Sequence, residues 1–134
     1  MNSKSPTSFA HWSRKFRNAF RGFRVGIRGQ SSFCAHFVMT ALVFVFGIVL
    51  GVSPLEWCVL LLCIGIVLSA ELFNTALEKC AKAITSDFDD HIRDALDIAS
   101  AAVLMASISA ALVGAAIFLF RIGFRFGWFG GYYM

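Results

Sequence analysis

Residues 57–78 read WCVLLLCIGIVLSAELFNTALE: fourteen apolar or small residues, then Glu71, Asn74, Thr75 and Glu78. The run before Glu71 is fit to cross a membrane, which sets the two carboxylates inside the bilayer or at its rim. An acidic side chain at the centre of a spanning helix costs about 3 kcal/mol on insertion scales, so such residues usually mark a site. On a helix, positions 71, 74 and 78 follow i, i+3, i+7 and share one face. Two carboxylates and a carboxamide on that face point to metal and proton chemistry. The plainer alternative is a polar contact between helices, with Asn74 bonding across the seam. A small proton or ion pathway is a third reading open to intramembrane carboxylates.

The rest of the chain agrees with a membrane setting. Of 134 residues, 58% are hydrophobic and 15% charged, against roughly half and a quarter in soluble domains. Two further apolar stretches flank the first. One runs from about residue 33 to 52, broken only by His36 and Thr40. The other lies within about 93–120, where Ala99 to Ala116 is crowded with Ala, Ser and Gly. Small residues let membrane helices approach closely, so this is a packing seam. The middle span starts near Leu55 and continues past Glu78 to Ile84, and Ser53-Pro54 reads as the tight connection before it. Thr85 to Ile92, with Asp87, Asp89 and Asp90, reads as a polar loop. Asp94 and Asp97 share a face at the start of the third span.

Seven of the twelve Lys and Arg lie between Lys4 and Arg28, and no acidic residue precedes Glu56. After a polar, flexible stretch over residues 1–8, Phe9, Trp12, Phe16, Phe20, Phe23 and Ile27 recur at helical spacing. Arg14, Arg17, Arg21, Arg24 and Arg28 recur out of phase with them. This predicts an amphipathic surface helix over 9–28, with aromatics toward the apolar layer and arginines toward anionic lipid headgroups. A basic region leading into a hydrophobic span argues against nucleic acid as the partner. The aromatic residues of 121–134 read as an interfacial tail. Basic residues concentrate before the first span and around the second loop, which places the N-terminus in the cytoplasm. Cys34, Cys58, Cys63 and Cys80 have no metal-ligand spacing and read as small membrane-embedded side chains.

The run Glu71-Leu-Phe-Asn74-Thr75-Ala-Leu-Glu78, followed by Asp97-Ile-Ala-Ser100-Ala101-Ala102-Val103, resembles the prokaryotic diacylglycerol kinase and undecaprenol kinase family. That family carries E-x-x-N-[ST]-A-[IL]-E, a short loop, and K-D-x-x-[SA]-[AG]-A-V. The resemblance covers about residues 14 to 120. It implies an all-α membrane protein of the bacterial cytoplasmic membrane, a surface helix plus three spans (domain 9–120), assembled as a homotrimer. The implied activity moves the γ-phosphoryl of ATP to the hydroxyl of diacylglycerol or undecaprenol with Mg²⁺. On the matching positions, Glu71 is the implied general base, Asn74 orients substrates, Glu78 binds the metal, and Asp97 helps hold the nucleotide.

Three positions depart from the family pattern. Gln30 stands where the family has a second metal-binding glutamate, Lys82 where it has an aspartate, and Leu96 where it has the lysine of K-D. Lys82, one turn beyond Glu78, stands to supply the phosphate-facing charge lost at Leu96. The runner-up reading is a catalytically silent member that binds nucleotide or lipid.

Overall fold

The computed structural model describes residues 9–84 and 89–128. The expected flexible N-terminus (1–8), Asp87, and the last six residues of the aromatic tail lie outside them. The chain divides into two compact units, Met1–Gln30 and Ser31–Met134. The first holds α1 (Phe9–Ile27), closed by a turn in which the Gln30 N–H donates to the Ile27 carbonyl at 3.3 Å and Gly29 takes φ +80°.

The second unit holds α2 (Ser31–Leu50), α3 (Pro54–Ile84) and α4 (Asp90–Arg125). All three are long and apolar enough to cross a membrane. At 1.5 Å per residue, α2 is about 30 Å long, α3 about 46 Å and α4 about 54 Å. The hydrocarbon layer is about 30 Å thick, so α3 and α4 have turns to spare beyond it. On α3 the surplus follows the apolar run and carries Glu78, Lys79 and Lys82.

Local chemistry sets the helix ends. At the end of α2 the Val52 N–H reaches back to the Gly47 carbonyl at 3.1 Å and the Gly51 N–H to that of Ile48 at 3.2 Å. Gly51 sits at φ +64°. This is a Schellman stop, which favours glycine because a side chain is strained at that φ. Two residues later Ser53 and Glu56 form a capping box. The Ser53 N–H donates to Glu56 Oε2 at 2.6 Å, and the Glu56 N–H donates to Ser53 Oγ at 3.4 Å. Pro54 occupies the first turn, where its missing N–H costs nothing.

The third span starts earlier and ends later than the sequence reading places it. Asp89 is the N-cap of α4, its carboxylate accepting the Ile92 N–H at 3.0 Å, and Asp90 is the first helical residue. Those two aspartates belong to a helix start, where acids satisfy orphan N–H groups and favour the dipole. The helix runs on to Arg125, because nothing breaks it before Gly127. There a second Schellman stop forms, with Trp128 N–H to the Gly123 carbonyl at 2.9 Å and Gly127 at φ +73°.

Helix α3 packs most extensively on α4, and both touch α2. Leu60 and Val67 of α3 are buried, and so is Gly114 in the small-residue stretch of α4. A methyl group at Gly114 would lie 4.0 Å from Leu60 Cδ2, at ordinary contact distance, so Leu60 packs against the α4 surface at this point. Phe46 of α2 meets Phe118 of α4 at 5.9 Å between ring centroids. Outward, Leu104, Met105, Ile108, Leu112 and Leu119 of α4 are exposed. So large an apolar surface is a liability in water and the ordinary condition of a protein dissolved in lipid.

Candidate active site

The polar residues that the apolar run leads into are placed where hydrophobic ones would be expected. Glu71, Asn74 and Thr75 are 4%, 8% and 1% exposed, as closed off as Leu60 and Val67 on the same helix. A buried carboxylate and carboxamide are costly unless they find partners, so the partners define the site. The Asn74 Nδ2 donates to Glu78 Oε1 at 3.0 Å, one turn along α3. From α4, Ser100 Oγ donates to Asn74 Oδ1 at 3.4 Å. A carboxylate can only accept, so the amide turns its NH₂ toward Glu78 and leaves its oxygen for the serine. Asn74 is thus a bridge, tying Glu78 to α4 by way of Ser100.

Glu71 sits one turn before Asn74 on the same face. Across from it, His36 of α2 brings Nε2 to 3.8 Å from Glu71 Oε2. Thr75 Oγ1, one turn from Glu71, is buried and finds no hydrogen-bond partner among the described residues. The face therefore presents a nearly buried carboxylate, a fixed amide and a half-exposed carboxylate in a row toward the polar end of α3.

The sequence candidates divide accordingly. Glu71, Asn74 and Glu78 share the face that their spacing predicts. Asp97 and Lys82 lie on exposed stretches of α4 and α3, and Leu96 is half-buried. Gln30 follows α1 in the other compact unit. Among the described residues no group of three or more His, Cys, Asp and Glu converges as a metal cage. Two contacts have no counterpart in the sequence reading. Ser100 stands three residues after Asp97, inside the matched motif, so its place on the α3-facing side was within reach of helical spacing. His36 carried only the general signal that an ionisable group in an apolar span merits a partner.

A second polar contact joins α3 to α4 at the other end of the bundle. Arg121 Nε donates to Glu56 Oε1 at 3.0 Å and to Oε2 at 2.9 Å, and its Nη2 also meets Oε2. The same carboxylate caps α3 through Ser53, so one side chain starts one helix and pins another. Arg125 Nη1 donates to the Val49 carbonyl at 3.0 Å, near the end of α2.

Residues 17–118 match the family model for prokaryotic diacylglycerol kinase. The chain belongs to that family. The match begins within α1 and ends in the last third of α4, so it takes in every residue of the Glu71 face and both its partners. Among curated proteins the chain is similar to the undecaprenol kinase of Bacillus subtilis (strain 168), 31% identical over 106 residues, 79% of this chain and 86% of that one. No solved structure matches. As a member of the diacylglycerol kinase family the chain is a membrane lipid kinase, and the buried polar face of α3 is its candidate active site.

Proposed function

We propose that this lipid kinase transfers the γ-phosphoryl group of ATP to the terminal hydroxyl of a long-chain membrane lipid, with Glu71 as general base. The observation that carries the reading is a carboxylate 4% exposed, on one face with Asn74 and Glu78, at the point where α3 leaves its apolar run. A lipid hydroxyl lies at the membrane interface, and that is where this face begins. Attack of the hydroxyl oxygen on the γ-phosphorus forms the new P–O bond and breaks the bond to the β,γ-bridging oxygen. ADP leaves, and the hydroxyl proton passes to a Glu71 oxygen.

Phosphoryl transfer asks mainly for positioning and charge neutralisation. Asn74, held between Glu78 and Ser100, is suited to orient substrate without swinging. Lys82 and Asp97, exposed near the same end of the helices, are the proposed nucleotide contacts. The donor chemistry fits Mg²⁺, which commonly takes one or two carboxylates with phosphate oxygens and water completing its shell. Glu78 is the proposed carboxylate ligand, half-exposed and fixed by the Asn74 amide at 3.0 Å. Bound there, Mg²⁺ would neutralise phosphate charge.

Diacylglycerol and undecaprenol remain the two acceptor classes, and the name of the Bacillus relative favours undecaprenol. The assembly proposed is a homotrimer in the bacterial cytoplasmic membrane. The exposed aromatics of α1, Phe9, Trp12, Phe16, Phe20 and Phe23, together with its arginines, favour a helix lying among anionic headgroups. The proposed orientation puts the N-terminus in the cytoplasm, as the concentration of Lys and Arg before the first span and around the second loop favours. Gln30, Lys82 and Leu96 favour the rival reading of a silent, ligand-binding member. Purified protein in mixed micelles with γ-labelled ATP, Mg²⁺ and each lipid separates the two. Label in the extracted lipid supports the kinase, and none in either lipid sinks it.

A further inference from the structure

His36 is the group the proposed mechanism leaves unused. It stands on α2, one turn after Phe33, whose ring is 1% exposed and among the most deeply buried side chains described. Residues three apart share a helix face, so burying Phe33 turns His36 inward as well. The imidazole is 20% exposed and reaches a carboxylate that is 5% exposed. Hydrogen bonds at Asn74 go to Glu78 and Ser100, and His36 is a polar side chain that approaches Glu71 from a different helix. At 3.8 Å the two are just beyond hydrogen-bond distance. Catalytic hydrogen bonds are often long before substrate binds and tighten in the complex.

We propose that His36 is a positioning residue for Glu71. Its Nε2–H is aimed at Glu71 Oε2 and closes onto it when the lipid hydroxyl binds. That contact engages one carboxylate oxygen and leaves the other, Oε1, directed at the hydroxyl as proton acceptor. An imidazole suits the task because it reaches across from a separate helix and donates from a rigid ring. The acceptor it fits is a primary alcohol presented singly at the interface, with the carboxylate locked in one orientation toward it. This role rests on Glu71 acting as the base of the proposed kinase.

The test uses full-length protein in mixed micelles, with His36→Leu and His36→Gln compared to wild type. A carboxylate freed to rotate loses the near-attack geometry, and a misplacement on the order of 1 Å costs roughly a hundredfold in rate. His36→Leu should lower kcat by about ten- to a hundredfold while KM for ATP stays within about twofold. His36→Gln, whose amide N–H stands in for Nε2–H, should recover most of that loss. A His36→Leu enzyme with kcat near wild type overturns the proposal. So does a loss shared equally by kcat, KM for ATP and thermal stability with no recovery in His36→Gln, which is the mark of packing alone. A second arm needs no turnover. In protein labelled with ¹⁵N-histidine, Glu71→Gln should shift the ring signals of His36 and leave those of His11 and His91 in place. A His36 signal indifferent to Glu71→Gln also overturns it. Wild-type protein inactive on both lipids would instead sink the kinase reading itself, whereas active wild type with an indifferent His36 sinks only this inference.

Discussion

Replacing Gly47 by alanine would place a methyl carbon 2.6 Å from Trp57 Cη2, 2.7 Å from Cζ2 and 3.3 Å from Cζ3. Carbon atoms sit comfortably at about 3.5–4.0 Å, so the overlap is on the order of 1 Å. The indole also makes a tilted contact with Phe44, one turn earlier on α2, with ring centroids 5.3 Å apart, so moving it disturbs a second ring. Relief requires α2 and α3 to separate, or the ring to leave its rotamer. Overpacking of this kind costs about 1–3 kcal/mol, offset by roughly 0.5–1 kcal/mol because alanine is the better helix former. The net expectation is a loss of about 1–2 kcal/mol, read by circular dichroism during denaturation in mixed micelles of a mild detergent and dodecyl sulfate. Trp57→Leu removes the obstructing ring, so Gly47→Ala should cost little in that background. Trp57 and Glu71 are fourteen residues apart, about 21 Å along α3, so turnover per folded molecule should be unchanged. Gly47→Ala within about 0.5 kcal/mol of wild type, or an equal loss with and without Trp57, would refute the reasoning.

Two other perturbations probe the ends of the bundle. Arg121→Leu leaves the part-buried Glu56 carboxylate without its cationic partner and should lower the melting temperature, while Glu56→Leu with Arg121→Leu should recover part of the loss; a double variant worse than the sum of its singles would contradict this account. Because Ser53 still needs a carboxylate to complete its capping box, that recovery should be incomplete. At the proposed nucleotide end, Lys82→Ala should raise KM for ATP severalfold with little change in kcat at saturation, and an unchanged KM would reject Lys82 as the charge that replaces the family lysine absent at Leu96.

How far these features could be read from the sequence depended on their separation along the chain. Periodicity within one helix was enough to align Glu71, Asn74 and Glu78, and apolar length was enough to find the three spans. The Ser53-Pro54-Leu55-Glu56 capping box was also local, yet reading it as a turn alone misses the role of Glu56. The run Asp87 to Asp90 looks like a loop by composition, whereas Asp89 acts as a cap; that depends on which residue first takes helical angles. Glu56 and Arg121 are 65 residues apart, and periodicity in either helix cannot bring them together. His36 needs the register between α2 and α3, which burial of Phe33 and the close passage of Trp57 over Gly47 help to set. The amide bridge from Glu78 through Asn74 to Ser100 likewise depends on how α4 is rotated against α3.

The most direct measurement of the central claim is transfer of label from γ-labelled ATP to lipid by wild type and Glu71→Gln, side by side, in the same micelles with Mg²⁺. The account predicts labelled lipid phosphate with wild type and a loss of at least about a hundredfold with Glu71→Gln, the lower end of what general-base catalysis ordinarily supplies. Both proteins should denature at the same detergent ratio. Labelling by Glu71→Gln at the wild-type rate would remove Glu71 as the base and contradict the account.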